Sequence, residues 1–315
     1  MESPLVSIVI LTYRRPEALV RSLDSALQQS YKNREIIIVD NYPQDGTREF
    51  IASYAPEVLL IELSANCGAC GGRNAGIRAA KGDIIITIDD DVVFEGVLEI
   101  NKAVETFARR PDVHVLAFQL CDERTGAVRV REWCHPQSLA THREAEFETN
   151  YFIEGACGIL RVVYETAGLY FEPLFYGCEG WDLGLRIIDR GFRILHAPQI
   201  RLRHLMSMSM EVRTPERPYY FWTRNYIWIA YKDYPFFAGL SFLAQKLAMM
   251  LYFSIRSRQI TAYLRGLRDG CQKLARIKQE RTPIRSDTLN YLKELEKSRP
   301  GLWMRFARHR EAIQL

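Results

Sequence analysis

The sequence predicts an α/β fold with a mostly parallel sheet and flanking helices, followed by a helical C-terminal region. Over roughly the first 120 residues, short runs that are apolar at nearly every position alternate with amphipathic stretches. This alternation is typical of parallel strands covered by helices on both faces. From Pro218 onward the composition changes to aromatic and then basic residues. We therefore place one domain over residues 1–215 and a helical, aromatic and basic region over 216–315.

The individual elements follow from the spacing of apolar residues. Strands are predicted at residues 5–11, 35–40, 58–63, 83–88 and 113–119. Helices are predicted at residues 16–29, 46–54, 69–80 and 95–109, the first with proline in its first turn. The stretch from 121 to 204 is less regular and contains one further clear helix at about 181–190.

Composition and charge narrow the class of protein. The chain has 315 residues and a net charge of +4, which is too small to indicate nucleic-acid binding. The seven cysteines are an odd number scattered along the chain, which fits reduced thiols in the cytosol. No basic segment precedes the first apolar run, so a secretory signal is not expected. These features predict a cytoplasmic protein.

The C-terminal region combines an apolar helix with a basic one. Residues 236–255 are nearly apolar, with Gln245 and Lys246 at the centre, and their length just suffices to span a bilayer. The central lysine and the frequent small residues favour a buried or interfacial helix instead. Between Arg256 and Arg285 basic residues far outnumber acidic ones. We expect peripheral contact with the inner membrane face or, alternatively, a role in homodimerisation.

Three adjacent carboxylates, Asp89, Asp90 and Asp91, directly follow the fourth predicted strand. Ligands of open parallel sheets bind beyond the carboxyl ends of the strands. Adjacent carboxylates repel one another unless a cation compensates them, and oxygen ligands suit Mg²⁺ or Mn²⁺ bound to a diphosphate. The alternative is an acidic surface loop that caps the following helix.

Other polar residues follow neighbouring strands and would meet at the same edge of the sheet. They are Thr12, Tyr13 and Arg14 after the first strand, Asp40 at the end of the second, and Arg73 and Asn74 in a glycine-rich turn entering a helix. Backbone N–H groups and a guanidinium there can bind phosphate or base. Close packing of glycines and a structural ion pair are the alternative explanation of each feature taken alone. Their shared position at successive strand ends favours a nucleotide site.

Motifs that the sequence lacks exclude several classes of enzyme. The first strand-to-helix turn reads TYRRPE and has no GxGxxG, which argues against a classical dinucleotide site. The sequence contains no GxxxxGK[ST] motif of P-loop enzymes and no GxSxG nucleophile elbow.

The runs VSIVILTYRRPEAL, EIIIVDN, GGRNAGI, IDDDV and EGWDLGLRIIDRGF resemble, in order and spacing, the family 2 glycosyltransferases of GT-A fold. The resemblance covers about residues 6–204. A rhamnosyltransferase-like branch is suggested by this segment and by RNYIWIAYKDYP after it.

The resemblance implies roles for the residues at the strand ends. Thr12, Tyr13 and Asp40 would hold the nucleobase, and Arg73 would lie against the nucleotide. The triplet would hold ribose and metal, with Asp89 facing the sugar nucleotide and Asp91 the cation. Arg14 and Asp90 would also contact the sugar nucleotide. His204 would be a further metal ligand.

The catalytic base is less clearly assigned. Members of this family usually carry Glu-Asp-x-Asp-Leu at the start of the late helix, whereas this chain reads Glu179-Gly180-Trp181-Asp182-Leu183. Glu179 or Asp182 would then take the proton of the acceptor hydroxyl. Residues three apart share a helix face, so both carboxylates could line one cleft, and we prefer Glu179 as the base. The alternative for Asp182 is a structural carboxylate at the helix N-terminus. Trp181 would stack on the acceptor or, alternatively, serve packing.

The sequence thus predicts an inverting glycosyltransferase that uses a UDP- or dTDP-sugar and a divalent metal, Mn²⁺ or Mg²⁺. The expected acceptor is a glycan or lipid-linked glycan. A glycosyltransferase that decorates small natural products and a non-catalytic sugar-nucleotide-binding protein are the alternatives. A sugar-nucleotide-forming nucleotidyltransferase is disfavoured, because its glycine-rich, lysine-containing first loop is absent from the sequence.

Overall fold

The computed structural model describes residues 3–43, 46–128, 132–205 and 214–298. The described residues form nine strands and eleven α-helices. The strands are β1 (Val6–Thr12), β2 (Arg34–Asp40), β3 (Leu59–Glu62), β4 (Ile84–Asp89), β5 (Val92–Phe94), β6 (Val115–Asp122), β7 (Phe147–Thr149), β8 (Ala156–Leu160) and β9 (Ile194–His204). The helices are α1 (Pro16–Leu27), α2 (Thr47–Tyr54), α3 (Gly68–Ala79), α4 (Glu99–Arg109), α5 (Leu139–His142), α6 (Arg161–Ala167), α7 (Glu179–Asp189), α8 (Arg217–Asp233), α9 (Phe236–Arg256), α10 (Ile260–Gln272) and α11 (Ser286–Glu296).

The strands form a single mixed sheet in the order β3-β2-β1-β4-β8-β6-β9-β5, with β7 also paired to β9. The strands β3, β2, β1 and β4 are mutually parallel. Strand β8 runs antiparallel between β4 and β6, so β4 and β6 point the same way. The predicted mostly parallel α/β fold is confirmed, and the antiparallel strands β5, β7 and β8 are additions that apolar periodicity did not reveal.

The fourth predicted helix begins later than the sequence suggested. Residues 95–98 precede α4, which starts at Glu99, because the short strand β5 first pairs with β9. The Glu95 carboxylate is bound by Arg201 and Arg203 of β9 rather than lying on a helix surface. This pairing of β5 with β9 brings the residues just after β4 next to the end of β9.

Two apolar layers cover the sheet. One contains α1 and α4, whose Leu19, Leu23 and Ile100 are fully buried against β1 and β4. The other contains α3, α6 and α7, and it extends to α8, which contributes Ile227 and Ile229. Helix α8 therefore packs into the same apolar core as the helices that cover this face of the sheet. The domain division at residue 215 stays a prediction, and residues 299–315 of the proposed C-terminal region lie outside the described residues.

Helix α9 is the one described helix that is long and apolar enough, by length and composition, to cross a membrane. Its buried residues are Gly239, Met250, Phe253 and Ser254. Large apolar side chains at its start are exposed, with 70% of the surface of Phe236 and 83% of that of Phe237 accessible. Length and composition alone are weak evidence for spanning.

Candidate active site

The polar residues at the strand ends lie together, as the sequence predicted. In the parallel register Thr12 is opposite Asp40, and Leu11 is opposite Asp89. The backbone N–H of Tyr13 donates to Oδ2 of Asp90 over 3.2 Å, which ties the end of β1 to the acidic triplet. Thr12 and Asp40 are fully buried. Polar side chains from successive strand ends are therefore neighbours at this edge of the sheet, and several of them are buried there.

An aromatic corner lies beside this edge, formed by the turns after β1 and β2. The rings of Tyr13 and Tyr42 meet edge to face with centroids 5.7 Å apart. The guanidinium of Arg14 lies 4.6 Å from the centre of the Tyr42 ring, and the Tyr42 N–H donates to Oδ1 of Asp40 over 2.8 Å. Tyr42 was not singled out from the sequence. The corner offers aromatic faces and a cation near the Asp40 carboxylate, which suits a planar base.

The carboxylates of Asp90 and Asp91 form, with Arg15 and His204, what we call the aspartate cluster. The Arg15 guanidinium contacts Oδ1 of Asp90 and Oδ2 of Asp91, each at 2.5 Å. Burial raises the pKa of Asp90 to about 7, although Arg15 opposes this. Burial would also raise the pKa of Asp91, but the contacts with His204 and Arg15 hold it well below its usual range. A protein cation already offsets the charge of the triplet.

His204 reaches the cluster through the antiparallel pairing of β5 with β9, in which it lies opposite Val92. Its Nε2 is 3.5 Å from Oδ2 of Asp91, and its Nδ1 is 2.7 Å from Oε1 of Glu132. Burial lowers the pKa of His204, but the hydrogen bonds with Asp91 and Glu132 outweigh it and raise the value to about 9. Glu132 thus fixes the imidazole so that Nε2 points to Asp91.

The aspartate cluster has ligands that suit a hard divalent cation. No group of three or more His, Cys, Asp or Glu side chains converges on a metal position within the described ranges. Asp91 and His204 nevertheless lie side by side, and Mg²⁺ is commonly held by one or two carboxylates together with substrate phosphates and water. A carboxylate on the far nitrogen of the histidine is the usual support of such a ligand. The residues fit a metal that binds together with a diphosphate, and such a cation would compete with Arg15 for Asp91.

A second group of carboxylates, which we call the glutamate cluster, lies around Arg73. The Arg73 side chain is buried, forms an ion pair with Asp89, and places Nη1 3.6 Å from Oε1 of Glu179. Arg73 therefore connects the end of β4 with the first residue of α7. Burial raises the pKa of Glu179, and the Asp89 carboxylate adds to this while Arg73 opposes it. Oε2 of Glu179 is buried and has no hydrogen-bond partner among the described residues.

Glu154, just before β8, completes the glutamate cluster. Its Oε1 accepts a hydrogen bond from the backbone N–H of Gly180, in the first turn of α7. Burial and the neighbouring Glu179 carboxylate raise the pKa of Glu154 to about 8. The side chain is partly exposed, whereas Glu179 is buried.

The loop that leads into α7 is held by helix α8. Phe175, Gly177 and Cys178 all have positive φ, a backbone conformation that residues other than glycine rarely adopt. The buried amide of Asn225 donates to the carbonyl oxygens of residues 174, 176 and 177 over 3.1, 3.0 and 2.7 Å. Arg224 donates to the carbonyl oxygens of residues 173 and 174. The C-terminal region therefore fixes the position from which Glu179 projects.

Asp182 does not line the cleft with Glu179, contrary to our expectation from their spacing. Its carboxylate is fully buried and lies 2.6 Å from Arg186 Nη2 and 2.7 Å from Lys232 Nζ. Burial would raise the pKa of Asp182, but these two cations lower it. This environment disfavours Asp182 as a base and gives it a role in joining α7 to α8.

Trp181 packs against the C-terminal helices. Its Nε1 donates to the Tyr234 hydroxyl over 3.2 Å, and its ring lies 5.6 Å from that of Phe242 and 4.2 Å from Lys246 Nζ. These contacts agree with the alternative that Trp181 serves packing. Contact of Trp181 with an acceptor stays a prediction.

The glycine-rich segment differs from the predicted turn. Arg73 and Asn74 lie inside α3, which begins at Gly68, so their backbone N–H groups belong to the helix. A Cβ at Gly72 would come 2.4 Å from Leu11, so this glycine allows α3 to approach β1 closely. Asn74 binds the backbone of Tyr170 through both amide atoms. Only the Arg73 side chain of this pair reaches the site.

Besides Tyr42, three residues of the site were not singled out from the sequence: Arg15, Glu132 and Glu154. Arg15 follows Arg14, which adopts a positive φ of 56°, so the two guanidinium groups take different directions. The position of Arg15 after a strand was a usable signal, because Arg14 was chosen on that ground. The sequence around Glu132 and Glu154 carries no such signal.

Comparison with known proteins agrees with this geometry. Residues 7–168 match the family described as Glycosyl transferase family 2. WcaA of Escherichia coli K12, named as a colanic acid biosynthesis glycosyl transferase, is 36% identical over 69% of this chain and 78% of its own. The mannosyltransferase PcManGT of Pyrobaculum calidifontis, solved with GDP-Man and Mn²⁺, superposes with a TM-score of 0.57 at 17% identity, covering 94% of this chain and 85% of that one.

Two further relatives match over shorter segments. The succinoglycan biosynthesis protein ExoO of Rhizobium meliloti is 39% identical over 28% of this chain. The Escherichia coli enzyme WfaP, named UDP-Glc:alpha-D-GlcNAc-diphosphoundecaprenol beta-1,3-glucosyltransferase, is 38% identical over 28% of this chain. The chain spans 26% of the length of ExoO and 35% of that of WfaP. With the family match over half of the sequence, the extended likeness to WcaA and the superposition on PcManGT, the chain belongs to glycosyl transferase family 2 and has the GT-A fold.

Proposed function

We propose that this enzyme transfers a sugar from a UDP- or dTDP-sugar to an acceptor hydroxyl with inversion, and that it requires Mn²⁺ or Mg²⁺. The observation that carries the proposal is the position of Arg73 between Asp89 and Glu179. It joins the strand ends proposed for the donor to a buried carboxylate suited to act as base. Both are needed within reach of one sugar carbon for a single displacement.

The residues divide the reaction between them. Thr12, Tyr13, Arg14 and Asp40 bind the nucleoside, while Asp89 and Asp90 orient the ribose and sugar. Asp91 and His204 hold the metal, which when bound offsets the negative charge of the diphosphate. Arg73, buried and cationic, stabilises the same charge as the sugar–phosphate bond breaks. Glu179 accepts the proton of the attacking hydroxyl.

The proposed acceptor is a glycan or a lipid-linked glycan. WfaP, whose name gives a diphosphoundecaprenol-linked sugar as acceptor, supports this class, and the names of WcaA and ExoO point to polysaccharide biosynthesis. A location in the cytoplasm, peripherally on the inner membrane face, fits such an acceptor. The exposed Phe236 and Phe237 and exposed arginines of α9 and α10, such as Arg256 and Arg265, support that location.

The first experiment measures donor turnover by the purified enzyme. UDP-glucose, UDP-galactose, UDP-N-acetylglucosamine and dTDP-rhamnose are incubated with Mn²⁺, and release of the nucleoside diphosphate to water is followed. At least one donor should be hydrolysed slowly, and EDTA should abolish the reaction. Binding without turnover of any donor, or turnover that EDTA leaves unchanged, would contradict the proposal.

The membrane contact is tested separately by flotation with vesicles. The full chain should float with vesicles that contain phosphatidylglycerol and should stay in solution with pure phosphatidylcholine. A Phe236→Ser/Phe237→Ser variant should lose most of this binding while retaining donor hydrolysis. Equal flotation of the variant would place the contact elsewhere on the chain.

A further inference from the structure

The glutamate cluster contains more carboxylates than cations. Among the described residues, Asp89 and Glu179 pair with one guanidinium, that of Arg73, and the same positive charge also acts on Glu154. The two cations nearest to Asp182, Lys232 and Arg186, do not neutralise this group, because they are bound to the Asp182 carboxylate. A buried group with excess negative charge is stabilised when one carboxyl holds a proton.

The thiols and phenols that face the cluster do not change this balance. Burial raises their pKa values, so they stay uncharged near neutral pH: Cys70, Tyr151, Cys157, Tyr170 and Cys178. The proton therefore belongs to the carboxyls.

Glu154 occupies the space that a side chain at position 180 would need. A Cβ built on Gly180 would come 2.4 Å from Oε1 of Glu154 and 2.8 Å from the carbonyl oxygen of Phe152. The N–H of Gly180 at the start of α7 donates to that same oxygen, and a helix N-terminus favours a carboxylate. Because position 180 is glycine, the Glu154 carboxylate, from the turn before β8, fits beside the first turn of α7, whose first residue is Glu179.

We propose that Glu154 and Glu179 act as a carboxyl pair that takes the proton of the acceptor hydroxyl, so that Glu154 is a second catalytic carboxylate. The inference rests on the proposed function, since it assigns a residue to that reaction. The acceptor O–H bond breaks and its proton passes to the deprotonated pair, where it becomes the proton that the two carboxyls share. The acceptor oxygen bonds to the anomeric carbon, and the bond from that carbon to the diphosphate breaks with its electrons on the diphosphate.

A shared proton suits this task. Two neighbouring carboxyls, one buried and one largely shielded from water, cannot both ionise easily, so the resting pair carries one proton and one charge. Once this remaining proton has left, the pair is a stronger base toward the acceptor hydroxyl than a carboxylate in water. The pKa of Glu154, raised to about 8 by burial and by Glu179, agrees with this arrangement. The pair loses its two protons in separate macroscopic steps, and the loss of the second proton, with an apparent pKa near 8, should govern turnover.

The experiment measures nucleoside diphosphate release from the four donors named above, with Mn²⁺, between pH 5.5 and 9.5. Wild-type turnover should rise as the pair loses its proton, through an apparent pKa near 8, and then level off. Glu154→Gln keeps an oxygen for the Gly180 N–H but cannot ionise. It should lower kcat by at least about 100-fold, leave the donor KM within about threefold, and remove the ionisation from the profile.

A matched control removes a carboxylate elsewhere in the same domain. Glu148 of β7 binds Arg193 over 2.8 Å and accepts a hydrogen bond from Tyr291. Glu148→Gln should keep kcat within about twofold of wild type and retain the pH profile. A similar loss of kcat in this control would mean that the assay reports the general removal of carboxylates, and it would overturn the assignment.

A double variant tests whether the two glutamates act as one unit. The kcat of Glu154→Gln/Glu179→Gln should be no lower than that of the less active single variant. Effects of residues that act together do not multiply. Full turnover by Glu154→Gln, or a wild-type profile that is flat from pH 6 to 9, would overturn the role of Glu154 and leave the proposed function intact. No metal-dependent turnover of any donor by wild type would overturn both.

Discussion

The aspartate and glutamate clusters lie at one edge of the sheet but balance their charges differently. In the aspartate cluster Arg15 and His204 both contact Asp91, and the pKa values of Asp90 and Asp91 move in opposite directions. In the glutamate cluster Arg73 is shared with Asp89, and the pKa values of both glutamates rise. The first group is compensated by the protein, and the second retains excess negative charge.

This difference assigns each cluster a different chemistry. A carboxylate already bound to cations can exchange one cation for another, which suits binding a metal with a diphosphate. A carboxylate whose charge is uncompensated gains from accepting a proton, which suits a base. The variants below test this division, beginning with the largest expected effect.

Glu179→Gln should reduce kcat for transfer or donor hydrolysis by about 10³-fold, within the usual range for a general base. Donor binding should stay unchanged, because the amide has the shape of the carboxylate and Glu179 is not among the residues proposed to bind the donor. Steady-state kinetics give kcat, and thermal shift with UDP and Mn²⁺ reports binding. Wild-type turnover in this variant would move the base out of the glutamate cluster.

Asp182→Asn should act on stability and thereby mark the boundary of the glutamate cluster. The substitution leaves Arg186 and Lys232 without their shared carboxylate, and breaking a buried ion pair costs about 3 kcal/mol or more. Urea unfolding should show this loss. The folded fraction should keep kcat to within about tenfold, because α7 still presents Glu179. Normal stability with kcat lowered as in Glu179→Gln would give Asp182 the catalytic role instead.

Asp91→Asn should weaken Mn²⁺-dependent donor binding by about 100-fold while leaving metal-independent UDP binding nearly unchanged. The amide retains hydrogen bonds to Arg15 but loses the charge that a divalent cation requires. Titration calorimetry with UDP, in the presence of Mn²⁺ or of EDTA, separates the two contributions. Asp112→Asn is a suitable control, since this exposed carboxylate binds Arg110 and lies outside both clusters. Identical Mn²⁺ enhancement in Asp91→Asn and wild type would disprove the assignment of Asp91 as a ligand.

The first half of this edge of the sheet could be predicted from the sequence. Strands β1, β2 and β4 are apolar runs, and parallel strands end at the same edge, so the proximity of Thr12, Asp40 and Asp89 followed from spacing alone. Their positions are confirmed, whereas their roles toward a ligand stay predictions.

The rest of the edge depends on contacts that sequence spacing does not encode. Glu154 reaches the site because β8 inserts antiparallel between β4 and β6. His204 reaches Asp91 because β5 pairs with β9. The Asp182 side chain points toward α8 because it pairs with Lys232, which lies fifty residues further along the chain. Such partners are chosen by tertiary packing, and helix periodicity predicted the wrong face for Asp182.

Glu154→Gln should also change how stability depends on pH, a smaller effect that sharpens the contrast between the clusters without any ligand. The folded protein holds a proton on Glu154 up to pH of about 8, whereas the ordinary value for the unfolded chain is 4.5. Between these values the unfolded state binds fewer protons, so the free energy of unfolding falls as pH rises. Glutamine does not ionise, so the Glu154→Gln variant lacks this decrease in the free energy of unfolding. The variant should therefore exceed wild type in stability by about 1–3 kcal/mol at pH 8, with the difference vanishing toward pH 4.5. Urea unfolding at both pH values measures it. A constant difference would show that Glu154 is ionised in the folded protein throughout, and the excess negative charge would then have to be offset by something other than a proton.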